Sequence, residues 1–357
     1  MNGSMQKGSS CGVWTTGIGS VLHFLVDGLC ICCLYAMVAP FGLVHLTGVF
    51  VTYTLMAFAT QPLTGMWADA MRWKHWMLLG ADVLLALGVL TASLVQVVDS
   101  ASMRELVMFL AASLMGIGNS LFHVWGGKQT ALTTGNDIRA LGVFVSTGAF
   151  GLAVGGLFFS WSLAYVFLLL IYLLSVAALN ISLSKEGAVE TSDEKRGRFS
   201  LIFVCAAILG LMLFVMFRSS ISEVFTSGIK EGPLPTIPED NSPTRSLSPS
   251  RGGEYLLLAI GATAMLGKMA GGWISRWLGI VPTLVLLLLG VAACWLLKSP
   301  LASSGGEWWL MLTGLFLINC TMPITLYLAN EVLKGREGLA FGLLAAALIP
   351  GYLLATM

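Results

Sequence analysis

The sequence predicts an all-α polytopic membrane protein, on three observations. Hydrophobic residues make up 57% of the 357-residue chain and charged residues 10%, against about 25% charged in soluble domains. The apolar residues fall into blocks near the ~20 residues that a helix needs to cross a bilayer core. Long runs such as 161–183 show no polar/apolar alternation, which the strands of a membrane barrel would show. Without water in the bilayer core, such blocks pair their backbone groups internally, as helices.

Eleven spans follow in order. The first, 16–38, is too long for a signal-peptide core and ends without a small-residue cleavage site, so it stays as a span; it carries His23 and Asp27. The second, 47–68, runs into Gly65-Met66-Trp67-Ala68-Asp69. The third, 76–98, holds Asp82, and the fourth, 105–126, holds Gly116, Gly118, Asn119 and His123. A very short turn near 159–163 separates the fifth span, 140–160, from the sixth, 161–183. Glycines 148, 151, 155 and 156 in the fifth are spaced for close helix packing. The seventh, 200–226, carries Arg218 and Glu223, and the eighth, 254–274, carries Lys268. The ninth is 281–298. The tenth, 307–329, contains Asn319 and Pro323, and the proline predicts a kink. The eleventh, 338–356, carries Gly338 and Gly342.

With the N-terminus in the cytoplasm, the inner loops hold twelve Lys and Arg and the outer loops five, which favours that orientation. The polar segment 184–199 reads as a cytoplasmic linker between an N-terminal six-helix bundle, 1–183, and a C-terminal bundle of about five helices, 200–357. The proline- and serine-rich segment 228–253 reads as a mobile outer loop. A weak internal repeat supports the two halves. Gly65-Met66-Trp67-Ala68-Asp69 matches Gly271-Gly272-Trp273-Ile274-Ser275 at an offset of 206 residues, and Ala140-Leu141-Gly142 matches Ala340-Phe341-Gly342 at 200. A parallel six-plus-six arrangement would leave the partner of span 161–183 missing, so the last helix is expected to be absent or truncated.

No basic tract points to nucleic acid. Six of the seven cysteines lie in apolar blocks, where a thiol acts as a small hydrophobe and implies neither disulfide framework nor metal site. Polar residues dispersed over several spans favour a transport path over a membrane enzyme, and imply no cofactor. The expected partners are a small-molecule substrate, protons and the lipid bilayer, with a monomeric chain.

His23 and Asp27 stand at i and i+4 on one helix face. A carboxylate near mid-membrane is costly and usually faces a cavity, so Asp27, helped by His23, is a candidate proton carrier; the alternative is a buried hydrogen-bonded pair that fixes packing. Two such ligands do not close a metal site. His123 falls at a similar depth to His23, either as its neighbour or as a cap for helix-end carbonyls. Arg218 is a candidate for binding an anionic substrate, for tuning Asp27, or for snorkelling to the interface. Asn119 and Glu223 join Arg218 as candidate substrate-binding residues.

The segment from Gly65 to His75, with Asp69 four residues after Gly65 and then Arg72 and Lys74, resembles the signature of the major facilitator superfamily between its second and third helices. Gly65 permits close helix approach. Asp69 is suited to meet a cation or a helix N-terminus and to latch the inner side of the two halves, with Arg72 holding the loop in the cytoplasm; the plainer reading is a polar turn. His23-x-x-x-Asp27, Gln61-Pro62-Leu63-Thr64-Gly65, Leu121-Phe122-His123 and Arg218-Ser219 resemble the fosmidomycin-resistance group of that superfamily. The resemblance covers most of 17–160. The chain departs from the group at Val124-Trp125, where a proline is common, and at Ser275, where the second-half acid is missing. The resemblance implies a two-bundle secondary transporter in the cell inner (plasma) membrane, working as a proton antiporter in efflux of a small organic molecule by alternating access. The alternatives are proton-coupled uptake of a small anion or nutrient, and a truncated inactive remnant.

Overall fold

The computed structural model describes residues 10–41, 44–71, 75–183, 200–231, 251–301 and 307–354. Every described regular element is helical. The first bundle comprises α1 (Ser10–Val38), α2 (Val44–Thr54), α3 (Gln61–Ala70), α4 (His75–Leu94), α5 (Ala101–Thr134), α6 (Ile138–Leu157) and α7 (Trp161–Leu183). The second comprises α8 (Leu201–Glu231), α9 (Arg251–Leu278), α10 (Ile280–Leu301), α11 (Glu307–Asn319), α12 (Met322–Val332), α13 (Glu337–Ala346) and α14 (Ile349–Leu354). Nine described helical stretches are long and apolar enough to cross a membrane. The two other predicted spans are also present, each in two pieces: α2 and α3, joined by a π-helical turn at Leu55–Ala59, and α13 and α14.

Two of the breaks have a visible cause. Pro62 sits in the first turn of α3 and Pro323 in the first turn of α12. Proline has no N–H to give the preceding turn and its ring clashes there, so each span restarts at its proline. The kink expected at Pro323 is a two-residue turn at Cys320 and Thr321, whose N–H groups still bond back to the Phe316 and Ile318 carbonyls. Two boundaries differ from expectation. The fourth span continues to Thr134, which carries Lys128 inside a helix. Residues 228–231 and 251–253 of the expected mobile loop are helical ends of α8 and α9, while 232–250 and the linker 184–199 lie outside the described residues.

Large apolar side chains point outward on α4, α7, α8 and α10, among them Val83, Leu169, Ile202 and Leu289. These faces suit lipid contact. The main buried core centres on the first bundle, around Leu29, Leu85, Met115 and Phe144, and continues into the second through Val215, Ala329, Ala340 and Phe341. A separate core around Phe225, Met311 and Ile318 fills the second.

The bundles meet through two pairs of small-residue crossings, and the internal repeat marks both. At Gly65 an added Cβ would strike the Gly338 carbonyl, and at Gly342 it would strike the Gln61 carbonyl, so α3 and α13 are in backbone contact. At Gly142 an added Cβ would lie 2.8 Å from the Lys268 carbonyl oxygen, and at Gly272 2.6 Å from that of Ile138, so α6 and α9 repeat the arrangement. The repeated short motifs are thus the two crossings of a pseudo-symmetric pair.

Candidate functional site

A cavity of about 570 Å³ lies between the bundles. His23, Asp27, Ile31 and Tyr35 line it at four-residue intervals along α1, which is one face of a helix. Across from them α8 supplies Arg218, Ser219, Ser222, Glu223 and Thr226, a polar stripe in an otherwise apolar helix. Lys268 of α9 and Asn319 of α11 line the deep end, whereas Leu46, Thr47 and Leu257 line the other end, away from the 65–75 turn.

At the deep end, α5 brings His123 against α1. The two Nε2 atoms of His23 and His123 are 2.8 Å apart. Asp27 lies beside both, with Oδ2 3.3 Å from His23 Nε2 and Oδ1 3.6 Å from His123 Nε2. The tautomers follow from the other ring nitrogens. His23 Nδ1 is 2.7 Å from the Phe144 carbonyl oxygen, and His123 Nδ1 is 2.9 Å from that of Asn119. A carbonyl only accepts, so each Nδ1 carries the hydrogen. In two neutral rings both Nε2 atoms would then present lone pairs to each other at hydrogen-bond distance. One added proton turns that repulsion into an N–H···N bond, and the adjacent carboxylate balances its charge. The geometry of the triad thus offers a place for one added cation.

Asn119 supports this arrangement from behind. It is fully buried, lies off the cavity wall, and donates from Nδ2 to Asp27 Oδ1 at 2.9 Å. This candidate substrate-binding residue thus orients the carboxylate, because α5 turns the position toward α1. Gly148 of α6 leaves the space that the triad fills, since a Cβ there would strike both Asp27 and His23. His23 Nε2, His123 Nε2 and an Asp27 oxygen lie within 4.8 Å of one another, one donor fewer than a closed four-coordinate metal site has.

The candidate latch lies at the end carrying the 65–75 turn. Asp69 accepts from the backbone N–H of Gly338 at 3.0 Å and of Leu339 at 2.8 Å, both in the first turn of α13. It also accepts from Lys128 Nζ at 2.8 Å, and Lys128 donates further to the Ala68 carbonyl. Arg336, the N-cap residue of α13, makes no side-chain cap, so Asp69 caps that helix from the other bundle. The pseudo-symmetric crossing does without such a cap. Ser275 turns back to the Gly271 carbonyl, and α6 is capped by its own Asp137. Arg72 lies outside the described residues. Lys128 was missed as a latch residue; its signal was a lone cation following two glycines in an apolar segment.

A second clasp joins the bundles at the same end. Asn136, in the left-handed backbone region at φ 60°, donates to Glu331 Oε1 at 2.8 Å and accepts from Asn330 at 2.9 Å. Elsewhere, Asp82 accepts from Ser175 of α7 at 3.1 Å, away from the cavity.

No family model and no curated protein matches the sequence. Solved structures do match its fold. A bacterial homologue of the iron transporter ferroportin, in an outward-facing state, aligns with TM-score 0.57 at 16% identity, covering 96% of this chain and 91% of that one. The same description with soaked iron gives TM-score 0.61 at 14% identity, covering 96% and 90%. A variant of the nucleoside transporter NupG gives 0.53 at 12%, covering 97% and 91%. The chain thus has the two-bundle, major facilitator-like fold of membrane transporters.

Proposed function

We propose that this chain is a proton-coupled secondary transporter of a small organic molecule, working by alternating access. The observation that carries the reading is the pair of bare Nε2 atoms facing each other beside Asp27 on the cavity wall. Such a site gains and loses a single cation with little rearrangement, which is what coupling needs. The proton rests between His23 and His123, and Asp27 holds its countercharge. The Asp69 cap on α13 latches one side of the cavity, and rocking of the bundles exposes the site to the other side. The similar structures are named for iron in one case and nucleosides in another, so the shared fold leaves the choice of cargo to the cavity.

Export is the first direction, on the resemblance to the fosmidomycin-resistance group and the glycine-rich α6. Uptake of a small anion together with the proton is the second, favoured by the buried Arg218 on the cavity wall. Flux direction in proteoliposomes under a pH gradient separates the two. We place the chain in the inner (plasma) membrane with its N-terminus in the cytoplasm, from the asymmetry of Lys and Arg.

The test of coupling is Asp27→Asn. A panel of small organic acids, bases and nucleosides, screened with a pH-gradient readout, first identifies a coupled solute. The variant is expected to fold and to lose gradient-driven flux of that solute. Normal coupled transport by a folded Asp27→Asn protein would refute the assignment.

A further inference from the structure

Arg218 and Lys268 line the same cavity from α8 and α9. Among the described residues neither has a carboxylate within ion-pair distance. Arg218 is 3% exposed, and its buried Nε has no hydrogen-bond partner. A cation inside a membrane span is costly and normally paired. Two such cations on one cavity wall define a place for a negative charge.

The break in the tenth span adds a third element. The eleven-residue α12 starts at Met322, and both Met322 and Thr325 line the cavity. The Thr321 hydroxyl donates back to the Ile318 carbonyl, so no side chain caps the helix. The first turn of α12, which follows the end of α11 by two residues, thus lies on the wall that carries Lys268 and Arg218. Discontinuous helices meet anionic groups in this way.

Phe58, Phe341 and Tyr352 supply apolar surface in the same space.

We propose that Arg218, Lys268 and the first turn of α12 form a site for the carboxylate of a small organic anion, whose apolar body lies against Phe58, Phe341 and Tyr352. The arginine fork matches the two carboxylate oxygens, and Lys268 adds a point charge. The inference rests on the transporter reading, though not on a direction of flux.

The test is equilibrium binding to the purified full chain in detergent, by titration calorimetry with benzoate, its neutral isostere benzamide, and benzylamine. Benzoate is expected to bind in the millimolar range or tighter, and the amide and amine to bind at least tenfold more weakly. Arg218→Gln and Lys268→Met are each expected to weaken benzoate about tenfold or more, the scale of one lost hydrogen bond to a charged group. Arg218→Lys, which keeps the charge, is expected to recover part of the loss. Equal binding of benzamide, no benzoate binding at millimolar concentration, or wild-type affinity in a folded Lys268→Met protein would each overturn the proposal. If a variant fails to fold, the benzoate–benzamide contrast in the unaltered chain still decides. No gradient enters this measurement, so failure of proton coupling in the Asp27→Asn assay is a separate result.

Discussion

Removing the Asp69 carboxylate should unlatch one end of the protein, and the size of the effect follows from the contacts it makes across the bundles. Asp69→Ala deletes the acceptor for the Gly338 and Leu339 N–H groups and for Lys128 Nζ. Loss of a helix cap costs about 1 kcal/mol, and a hydrogen bond to a charged partner ~1.5–3 kcal/mol. Both Asp69 and Lys128 are largely buried, at 9% and 11% side-chain exposure, so solvent screens the pair little. Lys128 belongs to the same bundle as Asp69 and keeps its bond to the Ala68 carbonyl, so only the two α13 contacts bear on the latched-to-open balance. A cap loss of about 1 kcal/mol, up to ~2, shifts that ratio about 5- to 30-fold. Spin labels at positions 132 and 336, both exposed at that end, report the shift by pulsed dipolar spectroscopy on a background without native cysteines. The longer-distance population is expected to grow. Asp69→Asn, which keeps one carbonyl acceptor, should give an intermediate shift. An unchanged distance distribution in a folded Asp69→Ala protein would refute the latch.

Further outcomes follow from the same geometry. Gly148→Ala drives a methyl group into Asp27 and His23, and overpacking of this kind costs ~1–3 kcal/mol; a lower melting temperature and weaker coupling are expected, read by thermal unfolding and flux. His123→Gln removes one of the two facing nitrogens, so gradient-driven flux should fall while downhill exchange of the same solute persists. Asn136→Ala removes the second clasp to Asn330 and Glu331; the same label pair should report opening smaller than that of Asp69→Ala, because the Glu331 contact is exposed to solvent. At Asp137, burial pushes the carboxyl pKa up, but the hydrogen bonds from Arg139 outweigh it and hold the pKa below its usual value. Its stabilisation is therefore present above the ordinary carboxylate pKa and is lost as the pH falls through the lowered value. Asp137→Ala should flatten that acid limb of the melting curve and cost about 1 kcal/mol as a lost cap.

The sequence by itself determined the spans, because apolar length is set by bilayer thickness and leaves its mark residue by residue. It also placed His23 and Asp27 on one face, since that relation is internal to a helix, and the short motifs of its weak internal repeat, which supported two halves, fall at both crossings. Tertiary structure alone decided what those residues meet. Asn119 donates to Asp27 across 92 residues of chain, and Asp69 reaches the α13 N-terminus across 269. No periodicity encodes such distances. Asn119, a candidate substrate-binding residue, faces α1 because the rotation of α5 is fixed by its packing. The facing nitrogens of His23 and His123, the part played by Lys128, and the gathering of Arg218, Lys268 and a helix start on one wall arise in the same way. Each depends on how helices distant in sequence rotate against one another, and that is settled by backbone contact at a few glycines and by the filling of the space between them.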